Sequence, residues 1–516
     1  MSQLDLIYHN IGSDDLDVIR NVEEISEVQK FFAGKTIFIT GATGFMGKCL
    51  VEKLLRSCPN LKHIYLLIRE KKGLKMKERL EKYFQSRIFS KLIDINPNSI
   101  KKVTGVKGDL LLERCGLSDE DIEILQRESD IIYHAAANVM FTAKVAESLR
   151  VNVLATQYII ELAEGCKKLE IFIYLSTAYS HCYMKCISEE FYKAPGDLDL
   201  VKKMIEIDER IGMDEESSKK WIGKFPNIYT FSKAIAEELV RQHSHKANHA
   251  CAVYRPSIVF GTYEEPISGW FDGLTGASLI CSGYALGIIH VAMHHCYPMD
   301  FIPCDMSINI LLALTKDLDG EWKKLREKEA IVYNYGSSCV NPVTFKKMSD
   351  SMKDMDKNMR SRYAVSVDFT IYTSHWWIFW ILDKFFHFLP AVLADTALLL
   401  SGRKPRVLDI YKKMHKHMDK IDYWGNGNWR IHMHNSLKVA DKLNSTDREI
   451  FFCDLQEIDW AEYMLRSWKG FQIYNLREEL PNKKGAQRYF LLCIIHYGII
   501  CILTLMALYF ITKLML

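Results

Sequence analysis

Short apolar, β-branched runs alternate along the first two thirds of the chain with stretches in which apolar residues recur at helical spacing. The runs are "KTIFIT", "HIYLLIR" (63 to 69), "VTGVKGDL" (103 to 110), "DIIYHAAA" (130 to 137), "IFIYLSTAY" (171 to 179) and "ACAVYRPSIVF" (250 to 260). Runs apolar on both faces suit strands covered on both sides, and their alternation with helices predicts a parallel, doubly wound α/β sheet. The repeat weakens near residue 340, after "VYNYGSSCVNPVTF". From "GRKPRVLDIYKKMHKHMDK" to "NLREELP" the pattern becomes that of an amphipathic helical region ending near residue 480. The expected organisation is a polar lead-in (1–34), a Rossmann-type domain (35–345) and a smaller helical C-terminal domain (346–482).

Two segments depart from this pattern. "FLLCIIHYGIICILTLMALYFIT", Phe490 to Thr512, runs 23 residues without a charge. As a helix it spans about 34 Å, enough to cross a bilayer. Lys483, Lys484 and Arg488 precede it and Lys513 follows, which predicts a transmembrane anchor over 489–513 with the bulk of the chain facing the cytosol. The endoplasmic reticulum is the default membrane, and a peroxisome or lipid droplet would give a similar sequence. "HWWIFWILDKFFHFLP" (375 to 390) packs three tryptophans and four phenylalanines into sixteen residues. His375, Asp383 and His387 argue against a simple span, leaving an in-plane membrane helix, the wall of a lipid-accepting pocket, or an aromatic core stripe.

Composition narrows the partners. A chain of 516 residues, 48% hydrophobic and with a formal net charge of +3, has room for two or three domains and carries no basic run suited to nucleic acid. The polar N-terminus lacks the apolar core of a signal peptide, and fourteen cysteines without paired CxxC spacing fit reduced thiols. "CYMKC" (Cys182, Cys186), "HKH" (His415, His417) and "HMH" (His432, His434) have no matching second half at zinc spacing, so no metal is expected.

The chemistry starts at "FITGATGFMGKCL" (38 to 50). A nucleoside-triphosphate loop fails here: five residues separate Gly41 from Gly47, and Cys49 replaces the magnesium-binding hydroxyl. Gly41, Gly44 and Gly47 instead have the spacing for a tight turn, close approach to a pyrophosphate and helix-on-strand packing. Arg69 ends the second run, followed by Lys71 and Lys72, where an acidic residue is usual for the unphosphorylated cofactor. Cations there favour NADPH, because a guanidinium can engage two oxygens of a 2′-phosphate.

In "NIYTFSKAIAEELV", Tyr229 and Lys233 lie four apart, on one helix face. The ammonium is expected to hold the cofactor ribose and lower the phenol's pKa, so that Tyr229 passes a proton to oxygen as hydride reaches carbon. Ser176 and Thr177, closing the inner strand "IFIYLSTAY", are candidates to hydrogen-bond the reacting carbonyl. Asn152 is a candidate to hold backbone and a relay water, or simply a helix cap.

Together these stretches resemble the extended short-chain dehydrogenase/reductases, and more closely the fatty acyl-CoA reductases. The family's TGxxGxxG pattern is matched by Thr40, Gly41, Gly44 and Gly47, with Thr43, Phe45 and Met46 in the same turn. The resemblance implies Asp109 and Leu110 of "GDL" near the adenine, and His134, Ala135 and Ala136 of "HAAANVMF" near the cofactor, joined by Pro256, Ser257 and Ile258 of "YRPSIV". It continues through "EEPISGWFDG", "DFIPCDMSIN", "VNPVTF", "GRKPRVLDIYKKM" and "DLQEIDWAEYM", to about residue 480. Ala155 stands where relatives usually have glycine, and Cys304 where many have valine. The implied activity is reduction of a long-chain fatty acyl-CoA to a primary alcohol by two hydride transfers from NADPH, through an aldehyde. The partners implied are the acyl-CoA and membrane lipid. A dehydrogenase of sterols or sugar nucleotides would share the glycines, Tyr229 and Lys233 but leave "EEPISGWFDG" and the C-terminal region unexplained. A membrane-tethered NADP-binding scaffold without turnover would have no need of the aligned proton donor.

Overall fold

The computed structural model describes residues 25–515 except 72, 142, 274–275, 295–296, 326–327 and 353–354. The first 24 residues of the lead-in and Lys72 therefore lie outside the described residues.

Each of the six apolar runs contains a strand of one sheet: β1 (Thr36–Thr40), β2 (His63–Ile68), β3 (Val103–Lys107), β4 (Ile131–His134), β5 (Ile171–Leu175) and β6 (Ala250–Pro256). A seventh, β7 (Ile331–Tyr335), extends the edge. All pair in parallel, in the order β7-β6-β5-β4-β1-β2-β3. This is a Rossmann-type doubly wound sheet, whose strand order reverses between β1 and β4. β1, β5 and β6 are buried along their whole length, as their unbroken apolar runs require. β7 escaped the sequence reading because "IVYNY" is five residues long and carries Asn334, whose side-chain nitrogen donates to the Ile187 and His432 carbonyls.

Three helices bear on the site: α1 (Phe45–Ser57) after the glycine turn, α2 (Ala155–Glu164), and α3 (Ile228–Ser244), which carries Tyr229 and Lys233. Asn227 caps α3 by accepting the Thr230 N–H at 3.0 Å. The two substituted small residues fit without strain: Ala155 is buried in α2, and Cys304 lies in the core with its sulfur 3.2 Å from that of Cys49. All described cysteines are free thiols.

The C-terminal region shares the core of the sheet. Trp460, Tyr463 and Phe471 pack in one cluster with Phe260 and Phe271. The Arg430–Ile431 strand pairs with Cys186–Ile187. Among the described residues, two helices are long and apolar enough to cross a membrane, Trp376–Leu400 and Lys483–Lys513.

Candidate active site

The glycine turn is built as a cradle. Gly41 sits at φ +77°, and a Cβ there would meet the Ala136 nitrogen at 2.6 Å. A Cβ on Gly47 would meet the Gly41 carbonyl oxygen at 2.3 Å. Both positions thus exclude a side chain by close backbone approach. Gly44, exposed, caps α1 without any side-chain hydrogen bond, so the first N–H groups of a 13-residue helix are left open to an anion. A dinucleotide pyrophosphate fits this donor set. The "EEPISGWFDG" segment braces the turn: Phe45 packs on Trp270 (ring centroids 5.4 Å) and Phe271 (6.4 Å), and Lys48 pairs with Asp272 at 2.7 Å.

At the end of β2, Arg69 is half exposed, 4.0 Å from the Asp109 carboxylate. Glu70 turns away to Lys107 at 3.2 Å, which leaves the cationic character of this corner intact. Arg79 joins Arg69 there, donating to its carbonyl, a second cation that the sequence reading missed. Its signal was present ten residues downstream but needed the intervening turn to bring it back. Lys71 is exposed on that turn, and Leu110 packs at the edge of the core behind Asp109.

Four expected roles meet a different geometry, those of His134, Thr40, Ser176 and Lys233. His134 does not present its ring to a ligand: it is buried between the Thr40 hydroxyl (2.7 Å) and the Thr156 hydroxyl (3.0 Å), and burial lowers its pKa to about 3. Thr40 likewise turns inward, accepting the Ala136 N–H at 3.3 Å, so this pair shapes the cradle rather than lining it. Ser176 is not the carbonyl-binding hydroxyl, because it donates to the buried Glu237 carboxylate. Nor does Lys233 lower the Tyr229 phenol: burial pushes that phenol above its ordinary value, the Glu237 charge adds to this, and only the Thr177 hydroxyl acts the other way.

Thr177 and Tyr229 stand together. The Tyr179 N–H donates to Thr177 Oγ1 at 3.2 Å, which frees the Thr177 proton for the phenol oxygen. Lys233, one turn along α3, donates to the Leu175 carbonyl at 2.6 Å and lies over the Tyr174 ring at 4.5 Å. Burial lowers its pKa to about 7, opposed by the charge of Glu237. Glu237 itself is held as a carboxylate against its burial by Arg255, which donates two bonds at 3.0 and 2.7 Å. Neither member of this pair was singled out from sequence, although Glu237 follows Lys233 at i+4 and Arg255 interrupts an apolar strand. Asn152 is not a cap: it sits inside a π-helical turn and clamps the 138–141 loop, accepting the Asn138 N–H at 2.7 Å and donating to the Ser232 hydroxyl at 2.9 Å. That loop lays Phe141 against Tyr229, ring centroids 6.0 Å apart.

Thr177, Tyr229, Ser257 and Ile258 line one cavity of about 390 Å³, with Trp376, Phe379 and Trp424 also in its wall. The Ser257 hydroxyl has no partner among the described residues. Pro256 ends β6 directly beneath, its carbonyl accepting the Ala178 N–H. A smaller, mostly apolar cavity of about 50 Å³ continues past the shared walls Cys281, Tyr284 and Phe345.

Two clusters elsewhere have metal-like spacing: His243, His249 and Cys251, and Asp383, His387 and His415. In the first, His243 Nε2 lies 3.0 Å from His249 Nε2 and the Cys251 thiol donates to the His249 carbonyl at 3.7 Å. In the second, the His290 N–H donates to His387 Nε2, so Nδ1 must carry the proton that meets Asp383 at 2.8 Å. Both read as hydrogen-bonded clamps.

A family model for the NAD-binding part of "Male sterility protein" matches residues 39–311, and a second model of that description matches 386–478. Fatty acyl-CoA reductase 1 of Xenopus laevis is 34% identical over 472 residues, 90% of this chain and 88% of its own. Fatty acyl-CoA reductase wat of Drosophila melanogaster is 31% identical over 515 residues, 98% and 97% of the two chains. Among solved structures, the reductase domain of a nonribosomal peptide synthetase from Mycobacterium tuberculosis superposes with a TM-score of 0.56 at 18% identity, covering 92% of this chain and 99% of its own. The terminal R domain of the myxalamid pathway gives 0.56 at 17%, covering 86% and 92%. These two share the fold. The sequence relationship carries the further conclusion: the chain belongs to the fatty acyl-CoA reductase family.

Proposed function

We propose that this protein reduces a long-chain fatty acyl-CoA to the primary alcohol and free CoA, with NADPH as reductant. The observation that carries the reading is the placement of Thr177 and Tyr229 side by side in the wall of an apolar cavity, in a fold whose glycine turn leaves the first N–H groups of α1 open to a phosphate. Gly41, Gly44 and Gly47 with the α1 N-terminus would hold the pyrophosphate, Lys233 the ribose, and Arg69 with Arg79 the 2′-phosphate. When bound, NADPH supplies the hydride for each of two reductions.

The chain's own groups manage the oxygen and its proton. Tyr229, whose oxygen accepts the Thr177 proton, donates to the thioester oxygen as it gains negative charge; when the carbonyl re-forms the C–S bond breaks, CoA leaves as the thiolate and takes its proton from water, and an aldehyde remains. Burial keeps the Tyr229 phenol protonated until an oxyanion forms beside it, the state an acid catalyst needs. The same pair serves the aldehyde, with Tyr229 giving its proton to the alkoxide. The cavity walls Phe379, Trp424 and Ile258 keep water from the reacting carbon.

The organisation that suits this chemistry is a catalytic domain at 35–345, a C-terminal domain at 346–482 and an anchor at 489–513. The lipid solubility of a long-chain alcohol favours catalysis at a cytosol-facing membrane surface, the endoplasmic reticulum by default. The test is a product assay on solubilised protein given saturated acyl-CoAs with NADPH or NADH. Two NADPH oxidised per CoA released, with alcohol formed, is expected. One NADPH per CoA with aldehyde accumulating would make it an aldehyde-forming enzyme, and no turnover with any acyl-CoA would refute the reading.

A further inference from the structure

The helix over Trp376–Leu400 has two unlike faces. Its inner face is polar and fully engaged. Asp383 accepts the Tyr411 hydroxyl proton and meets His415 at 2.7 Å, and Asp395 accepts the backbone N–H groups of Arg406, Val407 and Leu408. Its outer face is a stripe at helical spacing, with Trp377 (60%), Ile381 (52%), Phe385 (54%) and Leu393 (61%) exposed. A span through a bilayer would not bury two carboxylates against one side of the protein and leave the other side bare. An in-plane helix would.

The C-terminal helix fixes how deep that stripe sits. Its first turns are docked on the body, since Arg488 donates to the Ala364 carbonyl at 2.6 Å and Tyr489 donates to Asp368. Phe369 then touches both helices, its ring centroid 5.3 Å from His496 and 5.3 Å from Phe386. His496 lies six residues into the apolar run that begins at Phe490, about 9 Å along the helix. With the anchor upright, Phe386 is carried to the same depth, which matches the roughly 5–10 Å that interfacial helices sink. At the helix's end Arg403, Lys404 and Arg406 are exposed, a charge suited to anionic headgroups.

We infer that Trp376–Leu400 is a second, in-plane membrane contact, whose outer face lies in the bilayer interface and opens the active-site cavity to lipid. Trp376 and Phe379 are the link, because they begin this helix and also wall the cavity that holds Thr177 and Tyr229. An acyl chain already dissolved in the bilayer enters past them, and the alcohol leaves the same way. The purpose of the contact rests on the proposed reductase reading; its existence does not.

The test uses the full chain reconstituted in phosphatidylcholine vesicles with a minority of phosphatidylserine, doped with a lipid carrying a photoactivatable group in its acyl chain. Adducts mapped by mass spectrometry are expected on 376–393 as well as on 490–512. Adducts confined to 490–512, or 376–393 cross-linked instead to a second copy of the chain, would overturn the inference. A Trp380→Glu, Ile381→Glu variant gives an independent readout. Its KM for a long-chain acyl-CoA presented in vesicles should rise about tenfold with kcat kept. Its rate on a water-soluble short-chain acyl-CoA in detergent should stay unchanged. An unchanged KM in vesicles would contradict the proposal; a variant inactive in both assays leaves the wild-type adduct map as the deciding result. A protein labelled at 376–393 that reduces no acyl-CoA would sink the proposed activity and leave the membrane contact standing.

Discussion

Arg255 and Glu237 form a fully buried ion pair behind the active site, with the guanidinium gripping both carboxylate oxygens at 3.0 and 2.7 Å. The pair joins β6 to α3, receives the Ser176 hydroxyl, and sets its negative end one helical turn from Lys233. Positioning and electrostatics of the proton donor thus depend on a pair that touches no substrate. Removing half of a buried pair leaves the other charge uncompensated, at a cost of about 3–5 kcal/mol. Glu237→Gln should therefore lower unfolding stability by about 3 kcal/mol in a denaturant titration, and weaken cofactor binding at pH 7 because Lys233 loses the charge that keeps it protonated. Wild-type stability in this variant would contradict the assignment.

Lys233 itself predicts a pH dependence. Its folded pKa of about 7 lies below the ordinary lysine value of 10.5, burial being the cause. If the ammonium holds the ribose, NADPH affinity falls as pH rises above 7, by at most about tenfold per unit, until the bound complex itself titrates. Lys233→Gln should bind weakly with a flat profile over the same range. The sign for folding is opposite. Between about 7 and 10.5 the unfolded chain binds one proton more than the folded one, so this group's contribution to stability rises with pH across that window. Fluorescence titration of NADPH from pH 6 to 9 checks the first statement, and thermal unfolding over pH 7 to 10 the second.

The corner formed by Arg69 and Arg79 should decide between phosphorylated and unphosphorylated cofactor. Hydrogen bonds to charged groups contribute about 1.5–3 kcal/mol each, so the double variant Arg69→Ala, Arg79→Ala, losing about 3–6 kcal/mol, should cut the kcat/KM preference for NADPH over NADH by about a hundredfold or more. NADH kinetics should barely move. Equal losses with both cofactors would assign the two arginines to folding instead.

Phe345 stands in the wall between the substrate cavity and the smaller apolar cavity beyond it. Phe345→Ala should join the two and shift kcat/KM toward longer acyl chains, at a stability cost of about 3 kcal/mol from the space created. A series of saturated acyl-CoAs measures the shift, and an unchanged length profile would show that the chain runs elsewhere.

Much of this was legible in the chain. Six of the seven strands of the parallel sheet announced themselves as apolar runs, most plainly β1, β5 and β6, which are buried along their whole length and have no polar alternation to confuse them. Gly41 and Gly47 were readable for a related reason: their spacing encodes a backbone approach that forbids a Cβ. What escaped was set by direction and by tertiary return. Ser176 and Thr177 follow one another just past the end of β5, where one turns to Glu237 and the other lines the cavity, so spacing cannot say which meets the substrate. Arg79 reaches Arg69 only through a turn, and Glu237 finds Arg255 only because α3 packs across β6. The tryptophan-rich segment held three readings that composition could not separate; in the fold Trp376 and Phe379 wall the cavity, and Trp376 is at the same time exposed, as Trp377 and Ile381 are.

The central claim is that Tyr229 is the proton donor at an NADPH-dependent acyl-CoA reductase site. Tyr229→Phe tests it most directly, with alcohol formation and NADPH affinity measured on the same preparation. The account predicts a loss of about 10²–10⁴-fold in product formation with cofactor affinity within a few-fold of wild type. Product formation retained at wild-type rate would contradict it.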